Sequence, residues 1–137
     1  MSKWLSAKAV KRIEYMIPEH PLLHACCGDD RFGDFRVDIR PDVHPDLVAD
    51  ITKPLPFSNN SFAAAFADFP WTAAWKKNIA AAMKELLRVA PIVYTISPWT
   101  YGSSRCELTE VKVLWQPGIC PALLFSRYVK KKEAGQP

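Results

Sequence analysis

The sequence predicts an α/β domain: a mostly parallel sheet, finished by a C-terminal antiparallel hairpin. Three observations carry that prediction. Short apolar runs recur at residues 22–26, 35–39, 47–50, 62–68 and 92–97, too short for helices and composed as strands buried on both faces are. Segments with helical spacing stand before the first run and between the fourth and fifth, the alternation expected of α/β folds. Two further strand-like runs then flank Gln116-Pro117-Gly118, a turn by composition.

Taken in order, residues 3–17 place Trp4, Leu5, Ala9, Val10, Ile13, Met16 and Ile17 at spacings of three, four and seven, an amphipathic helix stopped by Pro18 and Pro21. Lys3, Lys8, Lys11 and Arg12 occupy the rest of its surface, either as a solvated face or as a phosphate-contacting one. Leu22-Leu23-His24-Ala25-Cys26 is a buried strand running into a tight loop at Gly28-Asp29-Asp30. The second strand, Phe35-Arg36-Val37-Asp38-Ile39, follows too soon for a crossover helix, which needs about ten or more residues. The crossover is therefore expected to shrink to a loop around Arg31-Phe32-Gly33.

A turn-rich linker at 41–45 leads to Leu47-Val48-Ala49-Asp50, a third short strand ending, like the second, in an acid. Lys53-Pro54-Leu55-Pro56-Phe57 must be extended, because proline restricts the residue before it. The turn Ser58-Asn59-Asn60-Ser61 delivers the fourth strand, 62–68, whose alanines leave room for a closely packed helix. That helix is expected over 72–88 from its alanine and leucine content and its period. The β-branched run 92–97 is the fifth strand, 99–105 a mobile loop, and 110–115 with 122–129 the hairpin.

One domain is expected over residues 1–129, with the amphipathic helix in 1–18 and a basic, flexible tail at 130–137. With 49% hydrophobic and 23% charged residues and no apolar run near ~18 residues, the composition fits neither a disordered nor a membrane-spanning chain. Nothing near Met1 reads as a secretory leader, so a cytoplasmic location is expected. Cys26, Cys27, Cys106 and Cys120 lack CxxC spacing and read as reduced thiols, a structural zinc being the alternative. The net charge of +4 suits an anionic partner such as nucleic acid without demanding one.

The chemistry concentrates at strand ends. Asp38, Asp50 and Asp68 each follow an apolar run, and Asp68-Phe69-Pro70-Trp71 combines a carboxylate, a turn-shaping proline and an indole suited to a flat ligand. As ordinary features, the acids would be solvated strand ends or helix caps, His24 a core histidine, and Cys26 and Cys27 small core residues.

With these residues in this order, the chain resembles the class I S-adenosylmethionine-dependent methyltransferases, in a shortened Rossmann-like form. Residues 22–28 stand where that family has its glycine loop, and Val37-Asp38-Ile39 where it has the acid ending the second strand. Val48-Ala49-Asp50 followed by Leu55-Pro56-Phe57 and Ser61-Phe62 resembles its approach to the fourth strand. Asp68-Phe69-Pro70-Trp71 is similar to the Asp-Pro-Pro-aromatic signature of amino-methylating members, adenine N6-methyltransferases among them, with Phe69 in place of the first proline. His24 stands where members have an acid, and Cys26 and Asp30 where they have further glycines.

The resemblance implies S-adenosylmethionine as cofactor, held along His24, Cys26, Gly28, Asp38, Ile39, Asp50, Ile51 and Asp68. Asp38 would accept the ribose hydroxyls, Asp50 the cofactor's adenine amino group, and Asp29 or Asp30 would face the sulfonium and methionine moiety. Asp68 and the Phe69 carbonyl would orient a target amine, Pro70 would shape the turn and Trp71 would stack on the target base. The implied activity is methylation of an exocyclic amine, adenine N6 in DNA or RNA, with a partner, a second copy or the basic N-terminal helix supplying sequence selectivity. The other readings are a catalytically silent binding or assembly subunit, and a methyltransferase of a small molecule or protein.

Overall fold

The computed structural model describes residues 5–70, 72–118 and 122–132. The described strands are β1 (Leu22–Ala25), β2 (Phe35–Asp38), β3 (Leu47–Val48), β4 (Ala64–Ala67), β5 (Ile92–Ser97), β6 (Cys106–Leu114) and β7 (Leu123–Lys130). They form one sheet in the order β3-β2-β1-β4-β5-β7-β6. The first five strands are mutually parallel, and β7 inserts antiparallel between β5 and β6. The expected mostly parallel α/β sheet with a terminal antiparallel hairpin is what the chain adopts.

Side chains alternate across the sheet, as the two-residue period of a strand requires. Leu22, Ala64, Phe66, Tyr94 and Phe125 point to the face covered by α1 (Ala7–Met16), meeting Leu5, Ala9, Ile13 and Ile17 at helical spacing. Ser6 caps that helix, its hydroxyl accepting the Ala9 N–H at 3.1 Å. Leu23, Ala25, Val37, Ala65, Ala67 and Val93 point to the other face, where Ile79, Ala82, Met83 and Leu86 of α3 (Ile79–Val89) pack with Ile51, Leu55 and Phe62 of the connection between β3 and β4. The alanines of β4 lie against this helix, as their size suggests.

The helix expected over 72–88 is interrupted. A single turn, α2 (Ala73–Lys76), is capped by Thr72, whose hydroxyl accepts the Trp75 N–H at 3.2 Å. The chain then closes tightly, the Asn78 N–H donating to the Trp75 carbonyl at 2.8 Å, and Asn78 becomes the N-cap of α3. Asn78 itself keeps near-helical dihedrals and its side chain makes no capping hydrogen bond, so the break is a tightened turn of the backbone at Trp75–Asn78.

Other boundaries shift by a few residues. α1 begins at Ala7, β3 ends at Val48, and β6 begins at Cys106, earlier than the hairpin expected at 110–115. β7 continues through Lys130, and the Lys131 N–H donates to the Arg105 carbonyl at 2.9 Å, so the basic run starts inside the sheet. Residues 133–137 of the expected tail lie outside the described residues.

No helix runs between β1 and β2. Residues 26–34 make the connection as a loop, with positive φ at Cys26 (53°), Gly28 (53°) and Gly33 (97°). Gly33 is required twice over: its φ disfavours a side chain, and a Cβ there would sit 3.0 Å from the Cβ of His24. In place of a helix, Arg36 of β2 staples the loop. Its nearly buried guanidinium donates to the carbonyls of Asp30 (2.8 Å), Gly28 (2.9 Å) and His44 (3.0 Å).

Candidate active site

The strand order reverses between β1 and β4. β1 leads outward to β2 and β3, while β4 leads to β5 on the other side. In open α/β sheets the crevice beyond the strand ends at such a point is where ligands bind. Ala25 is in register with Ala67, so the first residues past the two strands are Cys26 and Asp68.

Asp68 is only 1% exposed, and among the described residues neither carboxylate oxygen has a hydrogen-bond partner. A buried carboxyl left in this way costs stability and resists ionisation. Burial first, and then the nearby charge of Asp30, push its pKa up from 3.8 to about 8. The Cys26 thiol is also pushed up, by burial and then by the charges of Asp38 and Asp68. Phe69 turns its ring into the core, stacked on Trp75 at 5.1 Å between centroids, and Pro70 is half-buried. Trp71 lies outside the described residues.

Asp38, on the other side of β1, is in the opposite electrostatic condition. One oxygen accepts the Gly28 N–H at 2.8 Å, and the other accepts the Arg40 N–H at 2.9 Å and the Arg40 Nε at 3.4 Å. Burial opposes its ionisation, but these N–H groups and the Arg40 charge outweigh it and hold the carboxyl below its usual range. Asp38 is therefore an ionised acceptor fixed in place. Its bond to Gly28 ties the end of β2 to the turn after β1.

Asp50 lies past the end of β3 rather than on it. One oxygen accepts both the N–H (2.9 Å) and the hydroxyl (2.7 Å) of Thr52, an arrangement that holds it ionised. Ile39, beside Asp38, exposes 61% of its surface, whereas Ile51 is 4% exposed and belongs to the core.

His24 is wholly buried on the α1 face, its ring 4.2 Å from that of Phe32 and 5.1 Å from that of Phe66. Burial lowers its pKa to about 4, so it is neutral, with Nδ1 paired to the Phe32 carbonyl at 3.0 Å and Nε2 without a partner. The structure thus gathers Cys26, Gly28, Asp38 and Asp68 around the β1 end. Asp50 stands in the next turn, while His24 and Ile51 are packed among core side chains.

A residue the sequence reading passed over is Arg36, which in a strand looks like ordinary alternation. The signal available was its position opposite a glycine loop too short for a helix. A cleft of about 480 Å³ runs beside that loop, lined by Asp29, Asp30, Arg31 and Phe32 with Leu5, Val10 and Glu14 of the N-terminal region.

No family model matches this chain, and no curated protein matches it in sequence. Solved structures do match in fold. A chain of the Haloferax volcanii complex containing the Trm112 methyltransferase activator superposes with a TM-score of 0.66 at 14% identity, over 92% of this chain and 90% of that one. The Burkholderia thailandensis 1,6-didemethyltoxoflavin-N1-methyltransferase, with bound 1,6-didemethyltoxoflavin and S-adenosylhomocysteine, gives 0.64 at 10% identity over 95% and 81%. The N-methyltransferase NodS of Bradyrhizobium japonicum gives 0.62 at 10% over 91% and 94%. The chain has the fold of these structures.

Proposed function

We propose that this chain is an S-adenosylmethionine-dependent methyltransferase acting on an exocyclic amino group, with adenine N6 in DNA or RNA as the acceptor. The observation that carries the reading is Asp68, a buried carboxyl without a partner among the described residues, at the reversal point of the sheet. A carboxyl is retained in such a place when a ligand supplies the missing hydrogen bonds. The fold neighbours support the reading, since two of them are N-methyltransferases and one holds S-adenosylhomocysteine.

The residues fit the cofactor. Asp38 is an ionised, immobilised acceptor suited to a ribose hydroxyl, the oxygen that accepts from Gly28 keeping a further lone pair while the other is taken up by Arg40. Asp50, with one oxygen anchored by Thr52, suits the cofactor's adenine amino group, and the exposed Ile39 lies beside Asp38 for an apolar face. Cys26 and Gly28 shape the turn beneath them, with the backbone of Ile51 adjoining Asp50. His24 contributes by packing the root of the loop. When bound, S-adenosylmethionine supplies an electrophilic methyl group next to a positive charge.

Asp68 then has two tasks for this chain to perform. As a carboxylate it accepts from the target N–H and holds the amine lone pair in line, with the Phe69 carbonyl as second acceptor and Pro70 fixing the turn. Trp71 is assigned to stacking on the base. The pKa near 8 makes the group neutral at pH 7 in the empty chain, so a cation nearby is what would ionise it.

The Haloferax volcanii neighbour comes from a complex with an activator, which supports a partner subunit for this chain. One observation favours the catalytically silent reading: the Gly28 N–H is already taken by Asp38. Calorimetric titration with S-adenosylhomocysteine, then transfer of labelled methyl to adenine-containing oligonucleotides, decides. Binding with transfer to adenine N6 supports the proposal. No heat at millimolar ligand overturns it, and binding without transfer points to another acceptor or to a silent subunit.

A further inference from the structure

At the other end of the parallel strands from Asp68 lies a groove of about 810 Å³. It is bounded by the turn before β4, the last turns of α3, the residue before β6 and the end of β7. Seven cationic side chains and one carboxylate line it, an excess larger than the +4 net charge of the whole chain. The carboxylate, Glu85, is already engaged: it pairs with Arg88 at 2.6 Å and accepts the Leu55 N–H. Arg88 is engaged in turn, donating also to the carbonyls of Phe57 and Leu55.

Lys53, Lys84, Arg105, Lys131 and Lys132 are different. All five are exposed, and among the described residues none makes a side-chain ion pair. They come from four separate stretches of sequence and converge only in the fold, so mutual repulsion is built into the empty groove. Interleaved with them are the neutral groups of Thr52, Asn59, Asn60 and Ser104, the hydroxyl and amide types that accompany lysine and arginine at phosphates. The apolar side chains of the lining are Pro54 and Ala81, which are small, and Leu87, which is 4% exposed, so the described lining offers no large exposed apolar side chain to enter a bilayer.

We infer that this groove binds the phosphodiester backbone of a single nucleic acid strand. The site is electrostatic and reads no base. It does not include the Asp68 corner, and meets the residues assigned to the cofactor only through Thr52, which also anchors Asp50.

The test is fluorescence anisotropy of a labelled 12-nucleotide single strand with the full chain, without cofactor, across a salt series. With five cations available, log Kd should rise with log salt at a slope of about 3.5, about 100-fold weaker binding from 50 to 200 mM. The double variant Lys84→Glu with Lys131→Glu should weaken binding at least about tenfold and lower the slope, with an unchanged thermal midpoint. The hydrogen bond of Lys131 to Arg105 is made by its backbone N–H, so that contact survives the substitution. Absence of salt-dependent binding, or an unaltered affinity in the folded double variant, overturns the inference. So does equal binding of polyglutamate of matched charge, or tighter binding to phosphatidylserine vesicles, which would assign the groove to acidic protein or to membrane.

Discussion

Asp38 and Asp68 occupy matching places, each at the carboxyl end of a strand flanking β1, yet they are opposites. Asp38 takes N–H donors on both oxygens and is held ionised. Asp68 has no donor on either among the described residues and holds its proton to about pH 8. The loop after β1 contributes to the difference by turning the Gly28 N–H toward β2, and Arg40 beyond β2 supplies the rest. One carboxyl is thus a finished structural joint that still offers a lone pair. The other is unfinished, and its completion is left to something outside the chain.

The largest break in this comparison is Asp68→Ala, which should lower methyl transfer by about 10²–10³-fold in kcat while leaving S-adenosylhomocysteine affinity within a few-fold, as measured by single-turnover assay and calorimetry. The two carboxyls also predict opposite responses to pH. Asp68 has a folded pKa above its unfolded value, so its contribution is greatest below about pH 4 and stability falls as pH rises toward 8, by at most about 1.4 kcal/mol per unit. Asp38 is shifted down, so its contribution is present above the ordinary carboxyl range and is lost as pH falls through its lowered pKa. Thermal melts of Asp68→Asn should lose the first dependence and keep the second. A variant as pH-sensitive as the parent between pH 5 and 8 would contradict the assignment.

Arg36→Met comes next. It strands three carbonyls, those of Gly28, Asp30 and His44, and should cost roughly 2–4 kcal/mol by denaturant titration. Asp38→Ala leaves the buried Gly28 N–H unpaired, at about 1–3 kcal/mol, and should weaken cofactor binding by more than tenfold. Thr52→Val is the mildest. It removes one of the two bonds anchoring Asp50, at about 0.5–1.5 kcal/mol, and should raise the cofactor Kd only a few-fold.

The strands were legible because buried parallel strands are short apolar runs, and the acids after them were legible as interruptions of those runs. The missing crossover was legible from chain length alone. What replaced it was not, because the partners of Arg36 are backbone carbonyls, which carry no residue signature. The same holds for Gly28 and Asp38: a glycine and an acid can be named from the sequence, but not that they bond to each other. The break in the helix at 72–88 was not legible, because it is a backbone turn, the Asn78 N–H closing onto the Trp75 carbonyl, with no side-chain cap to mark it. Lys53, Lys84, Arg105 and Lys131 are unremarkable one by one, and only the sheet brings them to one groove.

The helix-free link between β1 and β2 also bears on how the chain reaches its fold. Leu23 pairs with Phe35, twelve positions on, whereas Ala65 must wait for Val93, twenty-eight positions on. Closing the shorter span costs about 0.7 kcal/mol less chain entropy, and sequence-local contacts form sooner. The Gly28 turn is thus expected to assemble with β1 and β2 as an early unit, and the corner at Asp68 to be completed only when β4 docks against it.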